Sequence, residues 1–489
     1  MLRIKRLHDW NRGTAGALVP GMTVRLSLVL TLVAVAPAFA QPAKQPAPVA
    51  KPVAVDDMVA FEKDLDALFV SGGLTADDAA ARAGKASPTV QRKVAEVEAT
   101  IAQAEQVELA RVPQVGGKAS YTRNSYLAPI VFGPTSIPFL QNYYLAEATL
   151  NVPLSDYVLR YPKLVDAAHL ALGVAKTTKA SAIVGAGQDG RLAYYEWLRS
   201  RLQVLIAQRQ LAQVQATLGQ VRALAEVQRL SKADLLRVES QEAQAEQTVD
   251  QLKNLSELRE EQLRLMIGAP AGEPLTIGED IRKDLAAIAP GSLDEAMQHA
   301  TSHRLDLRVL EQGIAAKDRQ REAEWANQLP RLSAYAIADY ANPNTRVFPQ
   351  SEKYTFTWSA GVQLTWTLND ALIADTTKNR LRAETDEIRA DRENLLRGTK
   401  IEILAAQQAV QLAQHALATS QKGLVAAEEG YRVRKELLAA DRATAVELVD
   451  AETDLTRARI TALNARVDLR VALAELTHAL GDDTGAVAK

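Results

Sequence analysis

Three glycines in this chain have the spacing of a phosphate-binding loop. Gly185, Gly187 and Gly190 match the G-x-G-x-x-G pattern, in which backbone N–H groups approach the pyrophosphate of a dinucleotide. That chemistry requires a strand before the loop and a second strand after the following helix. Residues 181–184 offer only a few apolar side chains, and a long helical pattern follows them. We therefore interpret these glycines as a bend or a close contact between helices.

A second group contains imidazole and carboxylate side chains. Glu295, His299 and His303 are spaced by four residues, so one helix face could present them to a zinc ion. The chain has no cysteine, no His-Glu-x-x-His order and no Gly-x-Ser-x-Gly nucleophile elbow. We therefore predict no metal site, no cofactor and no enzymatic activity.

The composition and the N-terminus bound the class of protein. Lys plus Arg number 57 against 59 Asp plus Glu, so we expect no nucleic-acid partner. An apolar run at 26–36 follows Arg25, and Ala-Phe-Ala at 38–40 is typical of a signal-peptide cleavage site. We assign 1–40 to a signal peptide, of which 1–21 is a mis-called start if translation begins at Met22. An uncleaved anchor is the alternative. Residues 41–55 are predicted to be a Pro/Ala-rich leader.

Strand-like patterns are confined to two windows, 115–161 and 331–370, which hold 15 of the 24 aromatic residues. The clearest strand is predicted at 355–368, where apolar and small polar residues alternate without a break. Weaker alternation predicts strands at 116–122, 144–154 and 332–340. We expect the large apolar side chains of the clearest strand to face lipid; they are Phe356, Trp358, Val362, Leu364 and Trp366.

Four strands cannot close a barrel. Lipid excludes an open sheet edge because unpaired backbone groups find no water there. If these strands enter a membrane, the chain must oligomerise, and three copies would supply twelve strands. A soluble β-sandwich could show the same alternation, although its strands are usually shorter.

Most of the remaining sequence is predicted to be helical. No proline follows Pro162 up to residue 227, and none occurs from 370 to 480. A helix of roughly 70 residues would be on the order of 100 Å long, so it needs neighbours along its whole length. Leucine and valine recur at short spacings between charged residues, which favours coiled-coil packing.

A faint internal repeat relates the two halves of the chain. Thr75 has its counterpart 217 positions later, at Ser292. The offset falls to 213 in the last helices, where Gly268 matches Gly481. Exposed loops tolerate such changes in length, so we interpret the pattern as a duplication. The predicted units are 56–268 and 291–482, joined by a connector at 269–290 and followed by a tail at 483–489.

Several ordered motifs resemble those of the TolC-like outer membrane efflux protein family. Residues 303–307, His-Arg-Leu-Asp-Leu, are similar to the family's Asn-Arg-Pro-Asp-Leu signature, and 292–296 resembles the capped helix before it. Residues 446–452 resemble the family's acidic segment, and 233–239 is the first-half partner of that segment. The likeness covers residues 65–482.

This resemblance implies a mainly α fold with a β-barrel section. Three copies would form a homotrimer, with a helical barrel crossing the periplasm and a twelve-stranded barrel in outer-membrane lipid. The implied function is a passive exit duct in an efflux or type I secretion system. Its implied partners are a periplasmic adaptor protein and an inner-membrane pump.

The resemblance also implies functional positions near two helix turns. Glu447 and Asp450 fall where the family places the acids that ring a closed periplasmic entrance, and Asp234 is a first-half candidate. Like charges around one axis repel one another, so such a ring would attract cations. The alternative is that these acids are solvated side chains near Arg442.

The same resemblance assigns contacts with the adaptor to the two tip turns. The expected contact residues are Gln228 and Ser231 in the first turn, and Asp441 and Thr444 in the second. The family usually has glycine where Gln228 and Asp441 stand, so both turns depart from its pattern. Two other functions stay open on the residues alone: a periplasmic coiled-coil scaffold without a pore, and an enzyme using the glycines or histidines.

Overall fold

The computed structural model describes residues 63–228, 230–283, 291–440 and 442–483. The predicted signal peptide and leader, and Asp441 of the second tip turn, lie outside the described residues. The helices are α1 (Ala76–Ala86), α2 (Pro88–Leu109), α3 (Leu154–Leu159), α4 (Tyr161–Glu226), α5 (Lys232–Ile267), α6 (Leu293–His303), α7 (Leu305–Trp325), α8 (Leu368–Ala439) and α9 (Ala445–Leu480). The strands are β1 (Phe69–Leu74), β2 (Gln114–Arg123), β3 (Ile130–Phe132), β4 (Thr135–Ile137), β5 (Asn142–Val152), β6 (Arg331–Asn342) and β7 (Thr355–Thr365).

Two very long helices dominate the fold. Helix α4 has 66 residues and α8 has 72, as the proline-free stretches predict. At about 1.5 Å per residue each is on the order of 100 Å long. Each is followed by a 36-residue helix, α5 and α9 respectively, that packs back against it. Each pair is therefore a long helical hairpin with a turn at its far end.

Local capping chemistry is repeated between the two halves. Thr75 and Ser292 each begin a helix with a capping box, in which the hydroxyl accepts from a backbone N–H three residues on. Gly268 and Gly481 end α5 and α9 with φ of 64° and 79°, a left-handed conformation that glycine adopts without strain. Equivalent positions in the two halves thus start and stop helices by the same means.

The four predicted strands form one antiparallel sheet in the order β2-β5-β6-β7. The structure adds a small β3–β4 hairpin between β2 and β5. Directly paired residues share a face, and successive residues alternate between the faces. The sheet therefore has one face, here called the apolar face, with the following members: Val115, Gly117, Ala119, Tyr121, Tyr144, Ala146, Ala148, Leu150, Val152, Leu332, Ala334, Ala336, Ala338, Tyr340, Phe356, Trp358, Ala360, Val362 and Leu364.

One short strand, β1, lies outside the two windows to which the predicted strands are confined, and it corrects that prediction. β1 forms isolated parallel bridges from Phe69 and Leu74 to Ile277. An alanine-type Cβ at Gly73 would lie 2.7 Å from the backbone of Ile277, so only glycine fits at this crossing. Pairing between segments some 200 residues apart depends on tertiary contact. The short run 69–74 has no strand-like pattern from which this pairing could be predicted.

The largest buried cluster lies where α4, α9 and the connector meet. Trp197, Leu198 and Leu202 of α4 are fully buried there, with Ile277 of the connector. The Arg470 guanidinium of α9, 5% exposed, lies 2.9 Å from Glu279. This ion pair ties the connector to the last helix.

Candidate functional site

The apolar face of the sheet is uncovered. Phe356, Trp358, Val362 and Leu364 of β7 are between 61% and 71% exposed, and Trp366, just past the strand, is 57% exposed. Soluble proteins rarely expose so large a contiguous apolar patch. The residues expected to face lipid therefore share one unpartnered surface within the chain.

Aromatic side chains flank this surface at both ends. At the loop end, Tyr144 lies 5.0 Å from Tyr121 and 6.3 Å from Tyr354 between ring centroids, and Tyr354 stacks on Tyr340 at 5.2 Å. At the helix end, Trp366 donates its indole N–H to the carbonyl oxygen of Gln328 at 3.2 Å. Aromatic belts at both water interfaces are typical of membrane-spanning strands.

The opposite side of the sheet, here called the polar face, carries charges. Lys118, Glu147, Asp339 and Thr357 are successive cross-strand partners and form a row across all four strands. An apolar outer surface and a polar inner one are what a water-filled barrel requires. Among the described helices, none is both long and apolar enough to span a membrane.

The first helix turn is built around Gln228 and Ser231. Gln228 has φ of 58°, the left-handed region that the usual glycine would occupy without strain. Ser231 caps the start of α5. Its hydroxyl oxygen accepts a hydrogen bond from the Asp234 backbone N–H at 3.1 Å, and its O–H donates to the Asp234 carboxylate at 2.7 Å. The turn forms despite lacking glycine, at the cost of a strained backbone.

The second turn repeats this arrangement at its helix start. Thr444 caps α9, and Glu447 completes the capping box with its carboxylate 3.3 Å from the Thr444 backbone N–H. Asp234 and Glu447 therefore both occupy the third position of their helices. There the positive end of the helix dipole also stabilises the negative charge of the carboxylate. Both acids have a local structural role at the turns.

Charge contacts between helices involve two arginines that the site prediction omits. Glu447 lies 3.2 Å from Arg434 of α8, and Asp450 lies 3.6 Å from Arg237 of α5. These partners differ from Arg442, the neighbour considered from the sequence. All four side chains are about half exposed, and such pairs typically contribute about 0–1 kcal/mol. Contacts this weak can open without unfolding the hairpins.

One of these two arginines could have been found from the internal repeat of the sequence. Arg237 stands 213 positions before Asp450, so the ion pair joins the two equivalent positions of the repeat. No local pattern distinguishes Arg434. The hairpin ends are held together by a shared apolar cluster, with Leu218 of α4, Val238 of α5 and Val449 of α9 all buried.

A buried polar contact lies next to this cluster. The Thr217 hydroxyl donates to the Glu452 carboxylate at 2.7 Å, with the residues 4% and 2% exposed. This hydrogen bond offsets part of the free energy that burying the carboxylate costs. Glu452 therefore joins α9 to α4 and is withdrawn from solvent, unlike Glu447 and Asp450.

The glycine motif lies inside α4, so helix, not strand, stands directly before it. Gly187 and Gly190 pack against α1, where a Cβ at Gly190 would lie 2.5 Å from that of Ala83. Gly185 has open space around it. The geometry is a close helix–helix contact, the interpretation favoured from the sequence, and it leaves no loop to cradle phosphates.

The histidines are engaged in a contact of a different kind. His299 and His303 stack with ring centroids 4.0 Å apart, and His299 Nε2 lies 2.6 Å from the Asp482 carboxylate. Within the described part of the chain, no group of three His, Asp or Glu side chains is arranged to hold a metal ion. The same region is pinned by Arg304, which donates to Asp306 and to Glu402 of α8.

This architecture, with long helical hairpins ending in a sheet that has one uncovered apolar face, is that of an outer-membrane channel. Residues 296–482 match the family model described as outer membrane efflux protein. No curated protein sequence matches the chain. The family match and the shared fold confirm the predicted resemblance to the outer membrane efflux protein family, with its location in the outer membrane and extension into the periplasm.

Solved structures with the same fold include three channels. The Campylobacter jejuni CmeC outer membrane channel has a TM-score of 0.70 and 13% identity, covering 86% of this chain and 87% of its own. The Neisseria gonorrhoeae MtrE channel in its open state has a TM-score of 0.68 and 17% identity, covering 83% and 88%. The outer-membrane channel OprN has a TM-score of 0.69 and 18% identity, covering 86% and 95%.

Proposed function

We propose that three copies of this chain form a continuous passive duct, the outer-membrane component of a tripartite efflux or type I secretion system. An inner-membrane pump and a periplasmic adaptor would deliver the substrate. The duplicated units 56–268 and 291–482 would each supply one helical hairpin and one strand hairpin to every subunit.

The observation that carries the proposal is the open sheet with its exposed apolar face. Among the residues that the structure describes, β2 and β7 each pair with a single strand. In lipid their free backbone groups must pair with another strand, because each unpaired group costs several kcal/mol there. Pairing β2 of one copy with β7 of the next closes a barrel. Two copies would give eight strands, a width that side chains fill, whereas twelve strands leave a lumen.

The closed end of the duct is proposed to lie at the helix turns. There Glu447 and Asp450, with Asp234 as a further candidate, would surround the threefold axis. Arg237 and Arg434 would hold the turns together while the entrance is shut. The adaptor would contact the outer side of the same turns, at Gln228, Ser231, Asp441 and Thr444.

Cross-linking tests the barrel. The chain has no cysteine, so Ser120→Cys in β2 and Gln363→Cys in β7 would be its only thiols. A bismaleimide should yield dimers and trimers in outer-membrane fractions and nothing larger, and each single variant serves as the control. Purified trimers should also conduct ions in planar bilayers. A product that is extracted without detergent and forms no channel would favour the periplasmic scaffold.

Channel block by divalent cations tests the gate. Glu447→Ala combined with Asp450→Ala should weaken block from the periplasmic side, because the ring that concentrates cations is gone. Asp454→Ala is the matched control: this exposed acid of the same helix pairs with Arg457, three residues away, at 3.0 Å. Unchanged block in the double variant would remove these two acids from the gate.

A further inference from the structure

The loop between β6 and β7, residues 343–354, here called the strap, is tied to the polar face of the sheet. Asn344 is only 3% exposed, and its amide donates to the Thr355 carbonyl at 2.9 Å and to the Thr357 hydroxyl at 3.0 Å. Thr357 belongs to the charged row on the polar face. The strap therefore leaves β6 toward that face.

A second anchor follows two residues later. The Arg346 guanidinium lies 3.2 Å from the Asp339 carboxylate and donates to the Ser359 hydroxyl at 3.1 Å. Both partners lie on the polar face, because Asp339 pairs with Thr357 and Ser359 is the next odd-numbered residue of β7. The Arg346 backbone N–H also donates to the Asn344 side-chain oxygen at 2.9 Å. Main chain and side chain hold the first half of the strap together.

The covering is measurable in the accessibilities. Ala341, the next polar-face residue of β6 after Asp339, is 1% exposed although it lies at the open end of the sheet. The Asp339 side chain is 15% exposed and that of Arg346 is 41%. At the far end of the strap, Tyr354 stacks on Tyr340 on the apolar face. Only the first half of the strap thus folds across the polar face.

We propose that the strap narrows the outer mouth of the duct and sets the size limit of what leaves, with the Arg346–Asp339 ion pair as its latch. This inference rests on the proposed function, because the polar face lines a lumen only in the closed barrel. In the trimer, the three straps, one from each copy, would then fold into the lumen at the same height along the barrel axis. Because the Arg346 side chain is 41% exposed, solvent screens the ion pair and its contribution to the free energy is small. A large solute or high salt can therefore release the strap. Phe348, 80% exposed in the middle of the strap, is free to meet that solute.

Single-channel conductance of the purified trimer tests the latch, with Arg237→Ala and Arg434→Ala present throughout so that the helix turns are open and do not limit the flow. Asp339→Asn and Arg346→Gln should each raise conductance, by about twofold if pore width limits flow, and admit larger sugars in liposome swelling. The swapped pair, Asp339→Arg with Arg346→Asp, should return both readings to the wild-type values. Lys118→Gln is the control for lumen charge, since Lys118 lies in the same row but two strands away from Asp339.

A lockable variant covers the case in which a single substitution disturbs folding. Arg346→Cys with Ser359→Cys can be joined through a short bis-methanethiosulfonate bridge, the oxidised state, which replaces the reach of the lost arginine, and can be released by reduction in the same preparation. Heat-modifiable migration reports whether trimers are intact. Conductance should rise on reduction. The proposed role of the strap would be overturned by equal conductance in the oxidised and reduced states. It would also be overturned if Asp339→Asn and Arg346→Gln conduct like the wild type. A wild-type trimer that forms no channel at all would instead refute the proposed function.

Discussion

Gly190→Ala should destabilise the protein, although alanine is the better helix former. Gly190 is buried in α4 against α1. A Cβ there would lie 2.5 Å from the Ala83 Cβ and 2.9 Å from the Ala79 carbonyl oxygen. Neither neighbour is the end of a flexible side chain, so α1 must move as a whole.

Two opposing effects set the size of the change. Alanine is favoured over glycine inside a helix by about 0.8–1 kcal/mol. Overpacking a close contact typically costs about 1–3 kcal/mol. The expected net effect on the free energy of unfolding is therefore a loss of about 0–2 kcal/mol.

Gly185→Ala is the matched control. It lies in the same helix and in the same glycine motif, yet an added Cβ meets no atom within 4 Å. Only the gain in helix propensity applies, so this variant should be more stable than the wild type by about 0.8–1 kcal/mol. The difference between the two variants, about 1–3 kcal/mol, isolates the contact with α1.

The assay is guanidinium unfolding of the detergent-solubilised protein, followed by far-ultraviolet circular dichroism. Both variants should keep the wild-type spectrum before unfolding. If Gly190→Ala unfolds at the same or a higher denaturant concentration than Gly185→Ala, the close packing of α1 on α4 is refuted.

Two further predictions concern the sheet and the end of α9. Val362→Lys should lower recovery in outer-membrane fractions, because a lysine facing mid-bilayer lipid costs about 2–4 kcal/mol, whereas Gln363→Lys on the polar face should be recovered normally. His478 Nδ1 lies 2.6 Å from the Asp483 carboxylate. That hydrogen bond, helped by the charges of Asp483 and Glu402 and opposed by burial and Arg304, raises the pKa of His478. The stabilisation is complete below the ordinary histidine pKa of about 6.5 and is lost as pH rises through the raised value. His478→Gln should therefore lose more thermal stability at acidic than at alkaline pH, and a pH-independent loss would contradict this reasoning.

The residues alone determined the local structure of this protein. Proline-free stretches predict α4 and α8, and unbroken alternation predicts β7 with its apolar face. Helix starts at Ser231 and Thr444 and the stop at Gly268 follow from side-chain capping and a left-handed backbone. Such features depend on residues within a few positions of one another, so a sequence pattern is enough to specify them.

Only the tertiary structure decided which charges meet. Asp450 pairs with Arg237 and Arg470 with Glu279, across 213 and 191 positions of sequence. The position of the strap was likewise decided by the tertiary structure, because it depends on the contacts that Arg346 makes with the polar face. Helix and strand periodicity fix which side a residue takes but not which element packs there. That choice comes from the packing of long hairpins against each other, which no short window of sequence contains.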